Sequence, residues 1–258
     1  MVSRANTSAT DGQGSPGCTD FVRGTWNGSS LAASALLDCS AMRILVIDVG
    51  GTHVKLLATG RRTPIRLPSG PELTATAMVT AVKAAAAAWQ YDVVSVGFPG
   101  PVAHGRAVRE PHNLGSGWVG FNFQRAFGKP VKVVNDAAMQ ALGSYQGGRM
   151  LFLGLGTGLG SALIVDDVLE PMELGHLPYK KGRTYEDYVG QRGLKRLGKK
   201  RWRKHVLNVI SRLKTAFEVD EVVVGGGNAK LVEEWPAGVR AGANAQAFRG
   251  GYRLWQRT

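Results

Sequence analysis

The sequence predicts an α/β fold built from two similar lobes. Two passages of the 258-residue chain follow the same order: a short apolar strand, a glycine-rich turn, a returning strand and then helical material. The first passage contains the turn at residues 50–52, and the second contains the turn at residues 156–160. With 44% hydrophobic residues and 35 glycines, the chain is long enough for each lobe to bury its own core.

Residues 1–41 differ in composition from the rest of the chain. They are rich in Ser, Thr, Gly and Asn and show no lasting periodicity, which predicts a disordered leader. Because Met42 stands directly before the first apolar strand, we interpret this leader as an appended or mis-assigned start. Cys18 and Cys39 both lie in it, so the remaining chain can form neither a disulfide nor a thiolate metal site. The apolar run at 31–37 predicts neither an anchor nor a secretory signal, and we expect a cytoplasmic location.

The first predicted lobe covers residues 42–135. Its elements follow from apolar runs and helical periodicity. They are a strand at 44–48, the first glycine turn, a returning strand at 54–58, an alanine-rich helix at 75–89, a strand at 93–97 and a strand at 131–134. The last strand runs straight into Asn135 and Asp136, and the carboxyl end of a strand is where α/β proteins place ligands.

The second predicted lobe covers residues 136–258. It begins with a helix from Ala137, followed by strands on either side of the second glycine turn. Later elements are a short helical turn at Glu173, a basic helical stretch to about residue 217, a strand at 221–224 and three consecutive glycines. A terminal helix, which can pack back on the first lobe, completes it.

The first turn, Gly50-Gly51-Thr52, has the composition of a phosphate-binding turn. Glycines directly after a strand let backbone N–H groups converge on an anion, because no Cβ intervenes. Asp48 would stand at the base of the turn, where a carboxylate can hold a magnesium ion through water. A tight hairpin turn preceded by an aspartate is the alternative.

The second turn matches neither common nucleotide-binding loop. It lacks the Gly-Lys-Ser/Thr ending of a P-loop, and no Gly-x-Gly-x-x-Gly pattern can be placed in it, because the last position falls on Leu159 or Ser161. Two interpretations stay open. The turn either cradles phosphate, with the Thr157 hydroxyl available, or is a structural β-turn.

Two polar pairs are candidates for sugar chemistry. At a strand end, Asn135 can orient a polyol while Asp136 accepts a proton, although an Asn/Asp helix cap explains the same dipeptide. Glu173 and His176 are three residues apart, so a helical turn would place them on one face to bracket sugar hydroxyls. A structural histidine or a metal site is the alternative there, and the lack of a further His or Cys nearby argues against metal.

Positive charge dominates the composition, with 32 Lys and Arg against 19 Asp and Glu. An excess of positive charge attracts anions, so nucleic acid, nucleotide and polyphosphate are all candidate ligands. The densest segment, residues 192–204, holds eight basic residues and no acidic one. A solvated helix face and a track for a polyanion both explain it.

Taken in order, five motifs resemble those of the ROK sugar kinases (repressor, open reading frame, kinase). The motifs are Asp48-Val-Gly-Gly-Thr52, Asn135-Asp136, Gly156-Thr-Gly158, Glu173-Leu-Gly-His176 and Gly225-Gly-Gly227. The resemblance covers nearly everything from Met42 onward, and within the family it is strongest to the polyphosphate-using branch. It implies the actin-like ATPase (ribonuclease H-like) fold, duplicated into two lobes around a central cleft.

The resemblance also implies roles for individual residues. Asp136 would be the catalytic base, and Asp48 would hold Mg²⁺, through water. Sugar contacts would come from Gly100, Asn113, Asn135, Glu173, His176 and Glu186. Phosphate contacts would come from Gly50, Gly51, Thr52, Lys55, Gly156, Thr157 and Gly158. The nucleotide side would be formed by Gly225, Gly226, Gly227 and Asn228.

The implied activity is transfer of a phosphoryl group from polyphosphate or ATP to the 6-hydroxyl of glucose or a similar hexose. Many ROK proteins carry a cysteine-rich zinc loop after the Glu-x-Gly-His motif, and residues 177–184 lack it, so zinc is not expected. We expect a homodimer that binds neither membrane nor DNA, since the leader lacks the periodicity of a DNA-binding domain. The alternative is a non-catalytic, sugar-sensing or regulatory member of the same family.

Overall fold

The computed structural model describes residues 42–243 and 245–256. The predicted leader, with Cys18 and Cys39, lies outside the described residues, and the expectations for it stay predictions. Most of the described chain forms two five-stranded sheets with helices packed against them, which confirms the predicted α/β class. In this part of the chain, no helix is both long enough and apolar enough to cross a membrane.

The described chain contains fourteen strands and six α-helices. The strands are β1 (Ile44–Val49), β2 (His53–Ala58), β3 (Ile65–Pro68), β4 (Val93–Phe98), β5 (Val102–Ala103), β6 (Arg106–Ala107), β7 (Val131–Asn135), β8 (Arg149–Leu155), β9 (Leu159–Val165), β10 (Val168–Met172), β11 (Pro178–Lys180), β12 (Arg183–Thr184), β13 (Glu221–Gly225) and β14 (Val239–Ala241). The helices are α1 (Ala75–Ala85), α2 (Phe123–Phe127), α3 (Asp136–Ser144), α4 (Tyr185–Val189), α5 (Gln191–Phe217) and α6 (Gln246–Arg253), with 3₁₀ turns at Leu174–His176 and Ala229–Leu231.

The two large sheets repeat one topology. The first has the order β3-β2-β1-β4-β7, and the second has the order β10-β9-β8-β13-β14. In each, an antiparallel set of three strands is extended by two parallel strands. The first glycine turn joins β1 to β2, and the second joins β8 to β9. The repeated passages in the sequence therefore correspond to a repeated structural unit.

Successive side chains of β1 and of β8 point to opposite faces of their sheets, so each sheet has a hydrophobic core on either face. In β1, Leu45 and Ile47 face a core shared with α1 and α2, whereas Ile44 and Val46 face a second core that includes Phe248 of α6. The second sheet behaves in the same way. Its β8 directs alternate residues toward α5 on one face and α3 on the other. Helix α3 is thus packed against both sheets.

Helices α3 and α6 cross at two glycines. A Cβ at Gly143 would overlap the carbonyl oxygen of Gln246, and a Cβ at Gly250 would overlap that of Met139. The end of α6 is also held by the first sheet, because the buried Ser95 hydroxyl donates to Gly251 O at 2.7 Å. Close backbone packing therefore fixes α6 to the helix that carries Asp136.

The structure differs from the sequence-based expectations in detail. The alanine-rich helix ends at Ala85 rather than residue 89, and α3 begins at Asp136 rather than Ala137. The sequence analysis missed β3, β10 and β14, which lie at the outer edges of the sheets, and the short helices α2 and α4. The lobe boundaries at 42–135 and 136–258 stay predictions.

Candidate active site

The first glycine turn joins β1 to β2 and is braced by a serine outside the motif. Gly50 N–H donates to His53 O at 3.0 Å and closes the turn. The Ser69 hydroxyl donates to Gly50 O at 2.7 Å, and the Ser69 N–H donates to Thr52 O at 3.1 Å. Two carbonyls of the turn are thereby directed toward Ser69. A lone serine after a short strand carries no motif signal, so sequence analysis missed this brace.

Asp48 and Lys55 are cross-strand partners on β1 and β2. Lys55 Nζ lies 3.0 Å from Asp48 Oδ2, and Asp48 is only 8% exposed. A carboxylate at this depth is costly without a partner, so the ammonium group stabilises it. The structure therefore places Lys55 against Asp48, and its role in phosphate binding stays a proposal.

The second glycine turn joins β8 to β9 and is held from outside by the Asn228 side chain and the Gln191 backbone N–H. Gly156 O accepts hydrogen bonds from the Asn228 side-chain amide at 3.2 Å and from Gln191 N–H at 3.0 Å. The same Gln191 N–H lies 3.1 Å from Thr157 O. Thr157 itself is exposed. Gln191, the first residue of α5, was not identified from sequence. It lies 35 residues after Gly156 in the chain, and only the fold brings the two residues together.

The three-glycine motif packs directly behind the second turn. Gly226 has φ +86°, and a Cβ there would overlap Leu155 O, so this position requires glycine. The next residues bring Asn228 N–H to within 3.0 Å of Leu155 O. The structure thus brings Gly225, Gly226, Gly227 and Asn228 together with the second phosphate-binding candidate.

Asn113 lies between the two glycine turns. A Cβ at Gly51 would be 3.2 Å from the Asn113 Cβ, and Asn113 Nδ2 lies 3.5 Å from Thr157 Oγ1. The loop that carries Asn113 is ordered by Glu110, whose carboxylate accepts three backbone N–H groups at 3.1–3.3 Å, from Gly117, Trp118 and Val119. The two turns therefore face one another across one side chain.

Asn135 caps α3 and holds the Gly100 loop. Its Oδ1 accepts from Ala137 N–H at 2.8 Å and from Ala138 N–H at 3.3 Å, while its Nδ2 donates to Gly100 O at 3.0 Å. The helix-cap interpretation of Asn135 therefore describes its contacts in this structure. If Asn135 also contacts the sugar, as predicted, the same side-chain amide must do so while it caps α3 and holds the Gly100 loop.

Asp136 is half-buried at the start of α3, beside the carboxyl end of β4. A Cβ at Gly97 would lie 3.7 Å from the Asp136 Cα, and Gly97 is the register partner of Asp48. Burial and then the charge of Asp48 raise the pKa of Asp136 to about 7, with a smaller contribution from Glu173. A hydrogen bond from Ala137 N–H opposes this shift. Asp136 is therefore a carboxyl group poised to exchange a proton near neutral pH.

Glu173 and His176 bracket the short 3₁₀ turn. The turn is anchored by Ser161, whose hydroxyl donates to Met172 O at 2.8 Å and accepts from Leu174 N–H at 3.0 Å. Glu173 and His176 are both exposed. Because the charge of Glu173 acts on Asp136, the structure brings this segment to the same site.

Glu186 lies between the second turn and the 3₁₀ segment. A Cβ at Gly158 would be 2.5 Å from Glu186 Oε2, and a Cβ at Gly175 would be 3.4 Å from the Glu186 Cβ. Its helix, α4, begins at a capping box formed by Thr184 and Asp187. Short, capped α4 thus positions Glu186 beside residues predicted to bind phosphate and sugar.

The carboxylates of the site offer the oxygen ligands that Mg²⁺ prefers. Among residues 42–243 and 245–256, however, no group of three or more His, Cys, Asp or Glu side chains is placed to hold a metal ion. Asp48, the residue expected to hold Mg²⁺ through water, is paired with Lys55 in this structure, and its role toward a metal ion stays a proposal. Residues 178–184, where a zinc loop would occur, form the hairpin β11–β12. The expectation that the chain binds no zinc stays a prediction.

The duplicated sheets and the glycine turns define a class of protein, the two-lobed actin-like ATPases. The ROK family model matches residues 44–181, which is more than half of the chain. The chain belongs to the ROK family. This confirms the resemblance drawn from the five motifs and the fold that it implied.

Individual relatives share these features along most of their length. The chain is 29% identical over 216 residues to the polyphosphate glucokinase of Mycobacterium tuberculosis strain H37Rv, covering 73% of this chain and 79% of that protein. It resembles the crystal structure of an inorganic polyphosphate/ATP-glucomannokinase from Arthrobacter sp. strain KM, with TM-score 0.71, 25% identity and coverage of 84% of this chain and 100% of that one. A ROK family glucokinase from Streptomyces griseus shares the fold, with TM-score 0.63, 22% identity and coverage of 82% and 98%.

Proposed function

We propose that this chain is a sugar kinase that transfers a phosphoryl group from polyphosphate or ATP to the 6-hydroxyl of glucose or a similar hexose. The observation that carries the proposal is Asp136, whose pKa is raised to about 7 by burial and by the charges of Asp48 and Glu173. A proton acceptor with a pKa near neutral pH suits general-base catalysis. The names of the polyphosphate-using relatives support the reaction class.

In this mechanism Asp136 accepts the proton of the sugar hydroxyl as that hydroxyl attacks the donor phosphorus. Glu173, His176, Asn113 and Glu186 would hold the sugar, and Asn135 would act mainly by fixing the Gly100 loop beneath it. Phosphoryl transfer otherwise requires positioning and charge stabilisation, which backbone N–H groups of the two glycine turns supply.

Charge on the donor would be balanced at the first turn. When bound, Mg²⁺ supplies positive charge at the donor phosphates, and Asp48 is the residue that would hold it through water. Lys55, already paired with Asp48 at 3.0 Å, adds a second positive group at the same place. The nucleotide of ATP would lie toward Gly225, Gly226, Gly227 and Asn228, behind the second turn.

The position of α5 supports polyphosphate as a donor. Its first residue, Gln191, hydrogen-bonds the second turn, so the basic segment 192–204 starts at the site where the donor would be held. Some of its charges are neutralised: Arg192 lies 4.0 Å from Asp187, while Lys199 and Arg203 lie 4.0 and 2.5 Å from Glu233. The remaining cations are exposed and available to a polyanion.

The second candidate function is a non-catalytic sugar sensor. A sensor needs the sugar contacts but has no use for a proton acceptor with a raised pKa, so the environment of Asp136 favours the kinase. A homodimer and a cytoplasmic location stay predictions.

The test is a coupled assay of the full chain that scans a panel of hexoses against ATP and long-chain polyphosphate, each with and without Mg²⁺. We expect a hexose 6-phosphate from glucose or a close relative and loss of the product without Mg²⁺. Sugar binding in a titration without turnover on any donor would instead establish the sensor.

A further inference from the structure

A group of packed aromatic rings lies on the second lobe, between the hairpin β11–β12 and helices α4 and α5. The rings of Tyr179, Tyr188 and His205 contact one another edge to face, with centroid distances of 5.0, 5.6 and 4.7 Å. The Tyr179 hydroxyl donates to Asn208 Oδ1 at 2.9 Å and lies 3.0 Å from His205 Nδ1. Since the single hydroxyl proton goes to Asn208, His205 Nδ1 carries the proton in the second bond. The rings are held rigidly by these contacts.

Three cations lie over the rings of Tyr179 and Tyr188. Lys180 Nζ is 5.1 Å and Arg212 Cζ is 5.5 Å from the centroid of Tyr179, and Arg196 Cζ is 5.0 Å from the centroid of Tyr188. All three residues are exposed. Within residues 42–243 and 245–256, none of the three forms an ion pair with a carboxylate. Aromatic rings therefore gather these cations without neutralising them. We call the six residues that carry these rings and cations the tyrosine–cation cluster.

The positive field of the cluster acts on its histidine. Burial and then the charges of Lys180 and Arg196 lower the pKa of His205. Lys180 and Arg212 lie over the same ring and Arg196 lies over a neighbouring ring, so these like charges repel one another in the absence of a ligand. A ligand with several linked negative charges would relieve this repulsion at all three cations together.

The cluster is connected to the proposed donor site by α5. This helix begins at the second glycine turn, through Gln191 N–H, and it carries both Arg196 and Arg212. Arg196 follows five residues later, or about 7.5 Å along a helix axis that rises 1.5 Å per residue. Arg212 lies beyond a break at Gly198, where φ is +71°. Arg196 and Arg212 therefore lie at successive positions along α5, counted from the second turn.

We propose that the tyrosine–cation cluster is a second binding point for long-chain inorganic polyphosphate, reached only by chains that extend outward from the second glycine turn. This inference rests on the proposed function for the identity of the donor site. It assigns chain-length preference to cations outside that site, two of which, Lys180 and Arg212, also lie outside the basic segment 192–204.

The experiment compares two double variants of the full chain that lose the same charge. Lys180→Gln/Arg212→Gln removes two cluster cations, and Arg62→Gln/Arg249→Gln removes two exposed cations elsewhere on the surface. Binding of long-chain polyphosphate and of tripolyphosphate is measured by equilibrium titration without sugar, at one fixed salt concentration. We expect the cluster variant to bind the long chain about 10-fold more weakly, with tripolyphosphate binding unchanged and the control variant unaffected.

Turnover with glucose gives a second readout. In the cluster variant, KM for long-chain polyphosphate should rise, while kcat and KM for ATP stay at wild-type values. The charge-retaining variant Lys180→Arg/Arg212→Lys should keep tight long-chain binding, which separates loss of charge from loss of fold.

Three results would overturn the inference. Equal losses in the cluster and control variants would reduce the effect to net charge, and an equal loss for tripolyphosphate would place the cluster at the donor site itself. A single-stranded oligonucleotide with the same number of phosphates that binds as tightly, and is lost in the same variant, would make the cluster a general nucleic-acid surface. If the wild-type chain transfers phosphate from no donor, the proposed function fails, while the titration still decides what the cluster binds.

Discussion

The carboxyl group of Asp136 is under opposing demands from catalysis and folding. A proton acceptor must be ionised, yet burial and the neighbouring charge of Asp48 raise its pKa to about 7 and so favour its neutral form. Two experiments separate these demands, one on the rate and one on the stability.

The rate should depend on pH through Asp136. Because only the ionised carboxylate accepts a proton, kcat/KM for the sugar should rise between pH 5.5 and pH 8 with a midpoint of about 7. The measurement is a pH profile with saturating donor and limiting sugar. A flat profile over this range would show that the limiting proton transfer does not involve this group.

The stability should depend on pH in the opposite direction. The folded-state pKa of Asp136 is higher than the usual value of 3.8, so the folded protein binds more protons than the unfolded chain between those values, and stability falls as pH rises through that range. Asp136→Asn removes this cost. At pH 8 the variant should be more stable than wild type by a few kcal/mol at most, since one pKa unit corresponds to about 1.4 kcal/mol. Urea unfolding at pH 5 and pH 8 checks that the gap widens with pH, and a variant less stable than wild type at pH 8 would contradict it.

Among the elements, the crossing of α3 and α6 sets the position of the site. Gly250→Ala would force the new methyl group into Met139 O and separate the helices, so we expect a loss of about 1–3 kcal/mol in the free energy of unfolding. Gly70→Ala is the matched control, because a Cβ at Gly70 meets nothing within 4 Å. Chemical denaturation measures both. Equal stability of the two variants would show that the helices separate without cost.

The second glycine turn depends on Asn228, which joins Gly156 O to the Gln191 side chain at 3.2 and 3.0 Å. Asn228→Ala leaves Gly156 O with one fewer donor and loosens the turn. We expect KM for the phosphoryl donor to rise about 10-fold, the effect of ~1.4 kcal/mol, with KM for the sugar unchanged. Steady-state kinetics against Gln124→Ala, an exposed amide on α2, gives the comparison. A change in sugar KM alone would place Asn228 elsewhere in function.

The sequence predicted the elements whose signal is local. Glycine turns between apolar strands, and the Asn-Asp pair at the end of β7, are visible because neighbours in the chain determine them. The outer strands β10 and β14 were missed because they are short and partly exposed, so they lack a continuous apolar run.

The braces of the site could not be predicted in the same way. Ser69 holds a turn 19 residues earlier in the chain, and Gln191 contacts a turn 35 residues earlier. Glu110 orders the loop of Asn113 by accepting N–H groups seven to nine residues later. Such roles arise only when the fold brings distant segments together, and a single Ser, Gln or Glu has many other uses.

At the scale of the whole molecule, the duplication places one glycine turn on each sheet and α3 between them. The contact of Asn113 with Thr157, at 3.5 Å, joins a loop of the first lobe to the turn of the second. Movement of one sheet relative to the other would change this contact and the access of water to Asp136. Closure of the lobes over bound sugar is therefore expected to precede phosphoryl transfer.

One measurement decides whether this arrangement performs phosphoryl transfer with Asp136 as the proton acceptor. It is the rate of hexose 6-phosphate formation by wild type, by Asp136→Asn and by Asp166→Asn, an exposed carboxylate after β9, with saturating polyphosphate or ATP. We expect Asp136→Asn to fall by about 10²–10⁴-fold with every donor that wild type uses, while its far-UV circular dichroism and the activity of Asp166→Asn stay at wild-type values. Turnover near the wild-type rate by folded Asp136→Asn would contradict the proposed mechanism.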